Sequence, residues 1–471
     1  MTARAELPTR LLTASLLASA FFVGVLAGFS PPVAIGLTLA LVFLAVTMAN
    51  LTVGICLFAL LTFLDTILPT EAQGTLSVPK LLGLVLMLSW LALVTSGERA
   101  HRERIFSHPA FIFVLILFVT WALLSASWAE EPSAAIEATT RYLPNAMLFL
   151  IVFAGVRTRE QLIWVVGSLV VGAFIAAAYG LASPVPADEE GRLSGALGNA
   201  NETAASLVAG GVLAVALAAS LRGQPLLRLA SAVVVPLCAI AVFMTASRGG
   251  LVALAVALIS AVVLAPGRRR TAALALAGVV VLSTVVYFSA FASVDARNRV
   301  TELQGGTGRT DIWKVGWRMV EAEPLRGVGA GNFEISSIHY LLAPGALIRD
   351  DFIVDEPKVA HNTYLNVLAE LGIVGLALFM GVILFSLGCA MRAIGFAVKA
   401  GDRQVEILSR AIVVVLLALL AADFFGSRQY SKQLWLLMAL CPVLLEISRA
   451  EWNARRGEPS GAATARPALR G

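Results

Sequence analysis

Long apolar runs separated by short polar segments extend along the chain from residue 11 to residue 448. Most runs are close to 20 residues, which is long enough for a helix to cross a hydrocarbon core of about 30 Å. The pattern predicts spans at 11–29, 31–48, 51–69, 80–95, 109–128, 142–156, 162–182, 203–220, 229–246, 249–265, 272–291, 366–390, 411–425 and 433–448. We therefore predict an all-α polytopic integral membrane protein with about 12–14 transmembrane helices.

The charges between the spans predict which side each polar segment faces, because Lys and Arg concentrate in cytoplasmic loops. With the N-terminus inside, 21 Lys and Arg residues fall inside and 14 outside, while 9 acidic residues fall inside and 21 outside. Both termini are then cytoplasmic. The predicted organisation is eleven helices in 1–291, a long periplasmic loop in 292–365, the C-terminal helices in 366–448 and a basic cytoplasmic tail in 449–471.

Composition excludes a soluble globular protein and argues against a nucleic-acid-binding protein. Hydrophobic residues make up 58% of the chain, charged residues 14%, and the mean hydropathy is +0.85. A soluble globular protein carries about 25% charged residues. The sequence pI is 9.2, but the basic residues lie between spans rather than on one soluble face, which argues against nucleic acid as a partner. The four cysteines lie in apolar segments without metal-ligand spacing.

The long loop contains a segment with the pattern of an interfacial helix, 308-GRTDIWKVGWRMVEAEPLRGVGAGNF-333. Thr310 is the predicted N-cap, and Trp313, Trp317 and Val320 share one helical stripe. Tryptophans on such a stripe are typical of a helix at the membrane–water interface, but a packed amphipathic helix is the favoured explanation. A glycine-rich turn containing Gly329 follows.

Two outer arginines are candidates for binding an anion. Arg309 lies where backbone N–H groups and the helix dipole favour negative charge, and a guanidinium binds phosphate through two parallel hydrogen bonds. Arg248, in the very short outer hairpin 245-TASRGG-250, opposes the positive-inside rule. A fixed negative partner outside the bilayer would explain it, and a membrane-boundary anchor is the alternative.

Three further polar segments lie in the predicted outer regions. The segment 192-RLSGALGNANE-202 brings Arg192 and Asn201 to the entrance of a span, where asparagines also serve as caps. The acidic segment 350–356 fits no familiar metal site. His361 and Asn362 precede a span, where the histidine would move a proton, hold a phosphate or form a hydrogen bond at the helix start.

Together these segments resemble a known family. His361–Asn362, nine residues, Gly372, two residues and Gly375 are similar to the H-[NSQ]-x9-G-x-x-G signature of O-antigen ligases and the related Wzy-type O-antigen polymerases. The Gly308–Arg309…Trp313 start, 324-PLRGVGAGNF-333, the Ser-Arg-Gly-Gly turn and the 198-GNANE-202 segment match the family's elements in order and side. The resemblance covers roughly residues 190–390.

The resemblance implies a metal-independent membrane glycosyltransferase of the GT-C architecture without a cofactor, in the bacterial inner membrane. Its donor would be a glycan on undecaprenyl diphosphate, and its acceptor a hydroxyl of lipid A–core or a similar molecule at the periplasmic face. Because no ATP is present there, the donor arrives activated, and its leaving group needs positive charge. The catalytic candidates are therefore His361, Arg309 and Arg248. The substrate-binding candidates are Asn362, Arg192, Asn201, Trp313 and Gly329.

Three alternatives remain. A polymerase of O-antigen or exopolysaccharide repeat units would use the same donor and site with a second lipid-linked glycan as acceptor. A secondary transporter would have repeated halves and ionisable groups at mid-membrane, whereas Asp65, Glu370 and Asp423 fall near span ends. A structural scaffold would not need an ordered set of outer arginines and a histidine.

Overall fold

The computed structural model describes residues 21–64 except 22, 23 and 26, together with 78–95, 108–182, 192–301, 308–341 and 358–457. Within these ranges the chain is helical and contains no strand, so the predicted all-α polytopic architecture is confirmed. Most of the predicted first span, Asp65 and the acidic segment 350–356 lie outside the described residues. The division of the chain into loop and helical regions stays a prediction.

The helices are named in chain order. They are α1 Pro31–Ala49, α2 Leu51–Leu61, α3 Val78–Thr95, α4 Pro109–Leu124, α5 Pro132–Gly155, α6 Arg159–Ala182, α7 Ala200–Ser220, α8 Pro225–Met244, α9 Arg248–Leu264, α10 Arg268–Val286, α11 Val294–Thr301, α12 Arg309–Ala322, α13 Phe333–Ser337, α14 Thr363–Ala400, α15 Arg403–Ala422 and α16 Lys432–Arg456. Short 3₁₀ or π turns extend α4, α10, α13 and α15.

Eight helices of the described chain are long and apolar enough to cross a membrane: α4, α6, α7, α8, α10, α14, α15 and α16, some with their terminal turns. Shorter apolar helices occur at Leu51–Leu61, Leu82–Ala92 and Arg248–Leu264. Burial separates centre from periphery, because 83% of the apolar window of α16 is buried and none of that of α10. The core is therefore built around α16.

Two predicted spans begin too late. Helix α5 begins at Pro132, although the predicted span begins at residue 142. Helix α15 begins at Arg403, although the predicted span begins at residue 411, and a 3₁₀ turn continues it to Phe425. The charged residues at the start of α15 interrupt the apolar pattern, but they are paired: the Glu406 carboxylate accepts from Arg269 at 3.0 Å and from Arg410 at 2.9 Å. Paired charges are tolerated inside a helix that hydropathy alone would shorten.

The loops group as the alternating topology requires. At one end, which we call the inner end, Arg159 pairs with Glu451 at 2.7 Å and Arg269 with Glu406. At the opposite end, the outer end, the segment 425–433 contacts the starts of α7, α9 and α14. The segments predicted to share a side of the membrane therefore meet one another.

Helix α14 is 38 residues long and is interrupted at Gly372, whose backbone has φ 65° and ψ −172°. A continuous helix of this length would extend about 57 Å, nearly twice the hydrocarbon thickness of about 30 Å. The interruption separates a short outer part, Thr363 to Leu371, from the longer part that follows.

The glycine-rich turn after α12 fills this interruption. Three carbonyl groups released by the break accept hydrogen bonds from outside the helix. Ala369 O accepts from Val328 N at 3.0 Å and Glu370 O from Gly329 N at 2.8 Å. Leu371 O accepts from Trp121 Nε1 at 2.9 Å. In return, Ile373 N donates to Pro324 O at 2.9 Å. The buried backbone groups of the break are thus satisfied by the loop and by Trp121 of α4.

The loop and the break approach so closely that neither tolerates a side chain. A Cβ on Gly372 would lie 2.2 Å from the carbonyl oxygen of Leu325, and one on Gly327 would lie 2.4 Å from the carbonyl carbon of Glu370. Gly372→Ala is therefore expected to destabilise the protein by more than about 2 kcal/mol, because its backbone conformation is restricted to glycine as well. Thermal unfolding of the purified variant in detergent measures the loss.

Gly388 provides the matched control in the same helix, since a Cβ there meets no atom within 4 Å. Gly388→Ala is expected to be neutral or stabilising by up to about 1 kcal/mol, as in an ordinary helix interior. Equal stability of Gly372→Ala and Gly388→Ala would contradict the close packing of the loop against α14.

Candidate active site

Helix α12 carries Arg309 at its first position. The residue before it, Gly308, has φ 61° and forms the N-cap without a side-chain hydrogen bond. The prediction that Thr310 caps this helix is therefore wrong, because the positive φ of Gly308 begins the helix earlier. Asp311 lies buried in the first turn and accepts from Lys314 Nζ at 2.9 Å. Its carboxylate occupies a position that the helix dipole favours.

The buried stripe of α12 is aliphatic rather than aromatic. Its core-facing side chains are Ile312, Val315, Met319 and Val320, while Trp317 is 54% exposed. These side chains pack with Phe333 and the outer part of α14. The packed explanation of the stripe is therefore correct for Val320 and wrong for Trp317, because the buried face is rotated towards the aliphatic residues. The interfacial explanation stays a prediction.

Trp313 links α12 to the segment that precedes α14. Its indole Nε1–H donates to the carbonyl oxygen of Ala360 at 2.9 Å. Ala360 is fully buried and immediately precedes His361. The geometry gives Trp313 a role in positioning the His361 backbone, and its contact with substrate stays a prediction.

His361 has an unusual backbone conformation and environment. Its φ is 48°, in the left-handed region that only a few per cent of residues other than glycine adopt, most often asparagine, aspartate and histidine. Burial lowers the pKa of its imidazole to about 4, and the positive charges of Arg309 and Lys358 act in the same direction. The imidazole is therefore neutral at pH 7, as a proton acceptor must be.

Asn362 caps α14. Its side-chain oxygen accepts from the backbone N–H groups of Tyr364 at 3.0 Å and Leu365 at 3.1 Å. The side chain is buried. Asn362 thus fixes the helix start next to His361, which is the geometry of an orienting residue.

The depressed pKa of His361 predicts how stability depends on pH. The unfolded chain binds a proton at this histidine below about pH 6.5, whereas the folded state does so only near pH 4. Between these values the unfolded state holds more protons, so stability rises with pH. From pH 7.5 to pH 4.5 the wild type is expected to lose about 2–3 kcal/mol more than His361→Gln. Chemical unfolding of both proteins at the two pH values measures this difference, and parallel curves would contradict it.

Arg248 begins α9 at the outer end of the bundle. The preceding Ser247 caps the helix by accepting from Gly250 N at 3.0 Å, and its hydroxyl donates to Asn201 Oδ1 at 2.7 Å. Gly250 packs against Ala204 so closely that a Cβ would lie 2.3 Å from the Ala204 Cβ. The structure therefore brings the Ser-Arg-Gly-Gly turn and the start of α7 together.

Arg192 belongs to the same group. Leu193 N, next to it, donates to Met244 O at 3.3 Å, which places the segment beside the end of α8. Asn199 caps α7 by accepting from Asn201 N at 2.9 Å. The segments that carry Arg248, Arg192 and Asn201 are thus adjacent, and Asn199 has the capping role that the sequence left open.

The segment 425–428, which the sequence pattern did not single out, connects the residues around His361 with the residues around Arg248. A Cβ on Gly249 would lie 3.0 Å from Phe425 Cβ, and Thr363 Oγ1 donates to Gly426 O at 2.8 Å. Arg428 N in turn donates to Thr363 Oγ1 at 2.8 Å. The segment 425–428 therefore packs between the start of α9, which carries Arg248, and the start of α14, which follows His361.

Arg428 is the functional candidate that this segment adds. Its side chain is 5% exposed, and Nη1 lies 3.7 Å from Oδ1 of the buried Asp423. The signal that selected Arg248, an arginine in a short outer loop against the positive-inside rule, applies equally to 426-GSRQYSK-432 and would have found it.

Gly329 lies at the break of α14, apart from the residues around His361 and around Arg248. Its φ is 109°, and a Cβ there would lie 2.5 Å from the Ala129 Cβ. Asn332 in the same turn accepts from Glu131 N at 2.8 Å. The geometry gives Gly329 a packing role, and binding of substrate by it stays a prediction. Within the described ranges, no three His, Cys, Asp or Glu side chains lie close enough together to hold a metal ion.

Comparison with known proteins agrees with the motifs. The family model described as O-antigen ligase matches residues 232–380, which include Arg248, Arg309 and His361. A protein named O-antigen ligase from Pseudomonas aeruginosa is 27% identical over 418 residues, covering 79% of this chain and 94% of that protein. Over residues 232–380 the chain is therefore similar to the O-antigen ligase family that its sequence motifs resemble.

Proposed function

We propose that this protein transfers a glycan from undecaprenyl diphosphate to an acceptor hydroxyl at the periplasmic face of the inner membrane. The observation that carries the proposal is a neutral imidazole, that of the half-buried His361, beside the positive charges of Arg309 and Lys358. A proton acceptor and cations in one place are what the displacement of a diphosphate by a hydroxyl requires.

In the proposed reaction the acceptor oxygen forms a bond to the anomeric carbon of the glycan. The bond from that carbon to the diphosphate oxygen breaks, and undecaprenyl diphosphate leaves with the electron pair. The hydroxyl proton passes to the free nitrogen of His361. Arg309 and Lys358 stabilise the negative charge that develops on the leaving group, and Arg248 is the candidate for a second contact with it.

The position of His361 favours this division of roles. With a pKa of about 4, its imidazole carries no charge with which to hold a phosphate near pH 7. The guanidinium of Arg309 and the ammonium of Lys358 do carry a positive charge that can hold a phosphate. His361 is therefore assigned to proton transfer and Arg309 to the diphosphate.

The acceptor distinguishes a ligase from a polymerase. The relative from Pseudomonas aeruginosa is named O-antigen ligase and aligns with 79% of this chain, which supports the ligase. The proposed acceptor is accordingly a hydroxyl of lipid A–core, and a second lipid-linked glycan is the acceptor of the alternative polymerase.

Purified protein in lipid nanodiscs tests the activity. It is expected to convert lipid-linked glycan plus lipid A–core into glycosylated lipid A–core, seen as a mass shift of the acceptor, and to release undecaprenyl diphosphate in equal amount. Elongation of the lipid-linked glycan in place of acceptor modification would identify the polymerase. Release of diphosphate without either product would contradict group transfer.

The predicted orientation has its own test. A reporter fused after Leu303 is expected to be active on the periplasmic side, and one fused after Gly267 on the cytoplasmic side. Opposite readings would place His361 on the wrong side for a donor presented in the periplasm.

A further inference from the structure

A small polar cavity lies between the start of α7 and the start of α16, with a volume of about 250 Å³. Its lining includes Glu202, Ser206, Ser427, Arg428, Lys432 and Gln433. Drug-sized ligands occupy pockets of about 300–1,000 Å³. The space is therefore suited to one small polar group.

The wall of the cavity contains a buried charge whose hydrogen bonds are incomplete. Arg428 is 5% exposed, and within the described part of the chain its Nη1 has no hydrogen-bond partner. Neither carboxylate oxygen of Asp423, its ion-pair partner at 3.7 Å, has a hydrogen bond to any described residue. Buried polar groups normally have partners, so a missing one indicates a group that a ligand satisfies.

The lining combines donors with acceptors. Glu202 presents a carboxylate, whereas Arg428 and Lys432 present cationic donors. Ser206 and Gln433 form a hydrogen bond of 2.5 Å inside the same cavity. A phosphate would be repelled by the Glu202 carboxylate, whereas sugar hydroxyls both donate and accept and so fit the mixed lining.

The cavity is also fixed to the helix start that follows His361. Arg428 N donates to Thr363 Oγ1 at 2.8 Å, and Ser427 Oγ donates to Asn366 Oδ1 at 3.2 Å. Thr363 lies two residues after His361 in the chain. A ligand in the cavity is thus held by the segment that packs against the proposed reaction site.

We propose that this cavity is a sugar subsite, in which Glu202, Arg428 and Lys432 bind the hydroxyls of one sugar ring. The inference rests on the proposed function, and the ring belongs either to the lipid-linked donor or to the acceptor. By holding that ring, the subsite selects which glycan reaches His361.

Steady-state kinetics of the full-length protein in nanodiscs distinguishes donor from acceptor. Glu202→Gln and Lys432→Gln are each expected to raise the KM of one substrate about tenfold, as for the loss of one charge-assisted hydrogen bond. Their kcat is expected to change less than about twofold, because uniform binding is lost. The substrate whose KM rises is the one that carries the ring. Lys399→Gln, at the end of α14 away from the cavity, is the matched control and keeps both KM values.

A second measurement does not depend on transfer. Saturation-transfer NMR with free glucose, galactose and N-acetylglucosamine is expected to show binding of at least one sugar to the wild type and to His361→Asn, and its loss in Glu202→Gln. Sugar binding that depends on Glu202 without any transfer would disprove the proposed function and retain the subsite. Normal transfer with unchanged KM values, and a sugar signal insensitive to Glu202→Gln, would overturn the subsite alone.

Discussion

His361→Asn is expected to lower the rate of glycan transfer on the order of 10²–10⁴-fold, the usual contribution of a positioned proton acceptor. Asparagine is the appropriate replacement because it tolerates the left-handed backbone that His361 adopts at φ 48°, whereas alanine would add strain. Donor binding is expected to stay intact, because the proposed function assigns the diphosphate to Arg309 and Lys358. Transfer rates and binding of the lipid-linked donor are measured on the same purified preparation.

His339→Asn is the matched control. His339 lies in the same long loop, and its side chain is 61% exposed and pairs with Glu130 at 2.7 Å. It is expected to keep wild-type transfer. Normal transfer in His361→Asn would reduce His361 to a helix-start residue, and weakened donor binding with activity kept in His361→Lys would assign the imidazole to the phosphate instead.

Arg309→Ala and Arg248→Ala are each expected to lower transfer on the order of 10²–10³-fold, the effect of removing one preorganised charge from the transition state. Arg→Lys should restore activity only in part, because an ammonium lacks the planar fork that matches a phosphate. In Arg309→Ala the pKa of His361 should also rise, since Arg309 is one cause of its depression. Transfer assays and an NMR titration of the imidazole provide the two readouts.

Arg326→Ala is the control for charge alone. Arg326 follows α12, its side chain is 53% exposed, and it pairs with Glu323 at 3.0 Å. It is expected to retain activity. Full activity with Lys at both positions 248 and 309 would show that these arginines are anchors.

The length of the apolar runs was sufficient to place most of the described helices, because a lipid-facing helix must be apolar over its whole crossing. Run length placed a helix start wrongly where the helix is surrounded by protein instead of lipid and can contain paired charges. The start of α15 is charged yet helical, since Arg269, Glu406 and Arg410 pair with one another. Such pairs join residues distant in the chain, and their partners cannot be read from a single run of sequence.

The site was predictable to the same degree. Sidedness and motif order selected Arg248, Arg309 and His361, and the structure places Arg309 close enough to His361 to shift its pKa. Sequence did not distinguish a residue that binds substrate from one that holds the backbone, as with Trp313 and Asn362. Arg428 carries the same signal as Arg248, an arginine in a short outer loop, and only its burial beside Asp423 required the structure.

The break in α14 has a consequence for how the protein is made. Its outer part is completed only when Pro324, Val328 and Gly329 have reached it, and these residues lie in the loop that precedes the helix in the chain. In the proposed orientation this loop, which is synthesised before the helix, must cross the membrane before it can pack against the helix. In that orientation the start of α14 acquires its final shape only after the loop has been translocated. If the proposed orientation holds, the segment that follows His361 is completed on the side of the membrane where the proposed lipid-linked donor is presented.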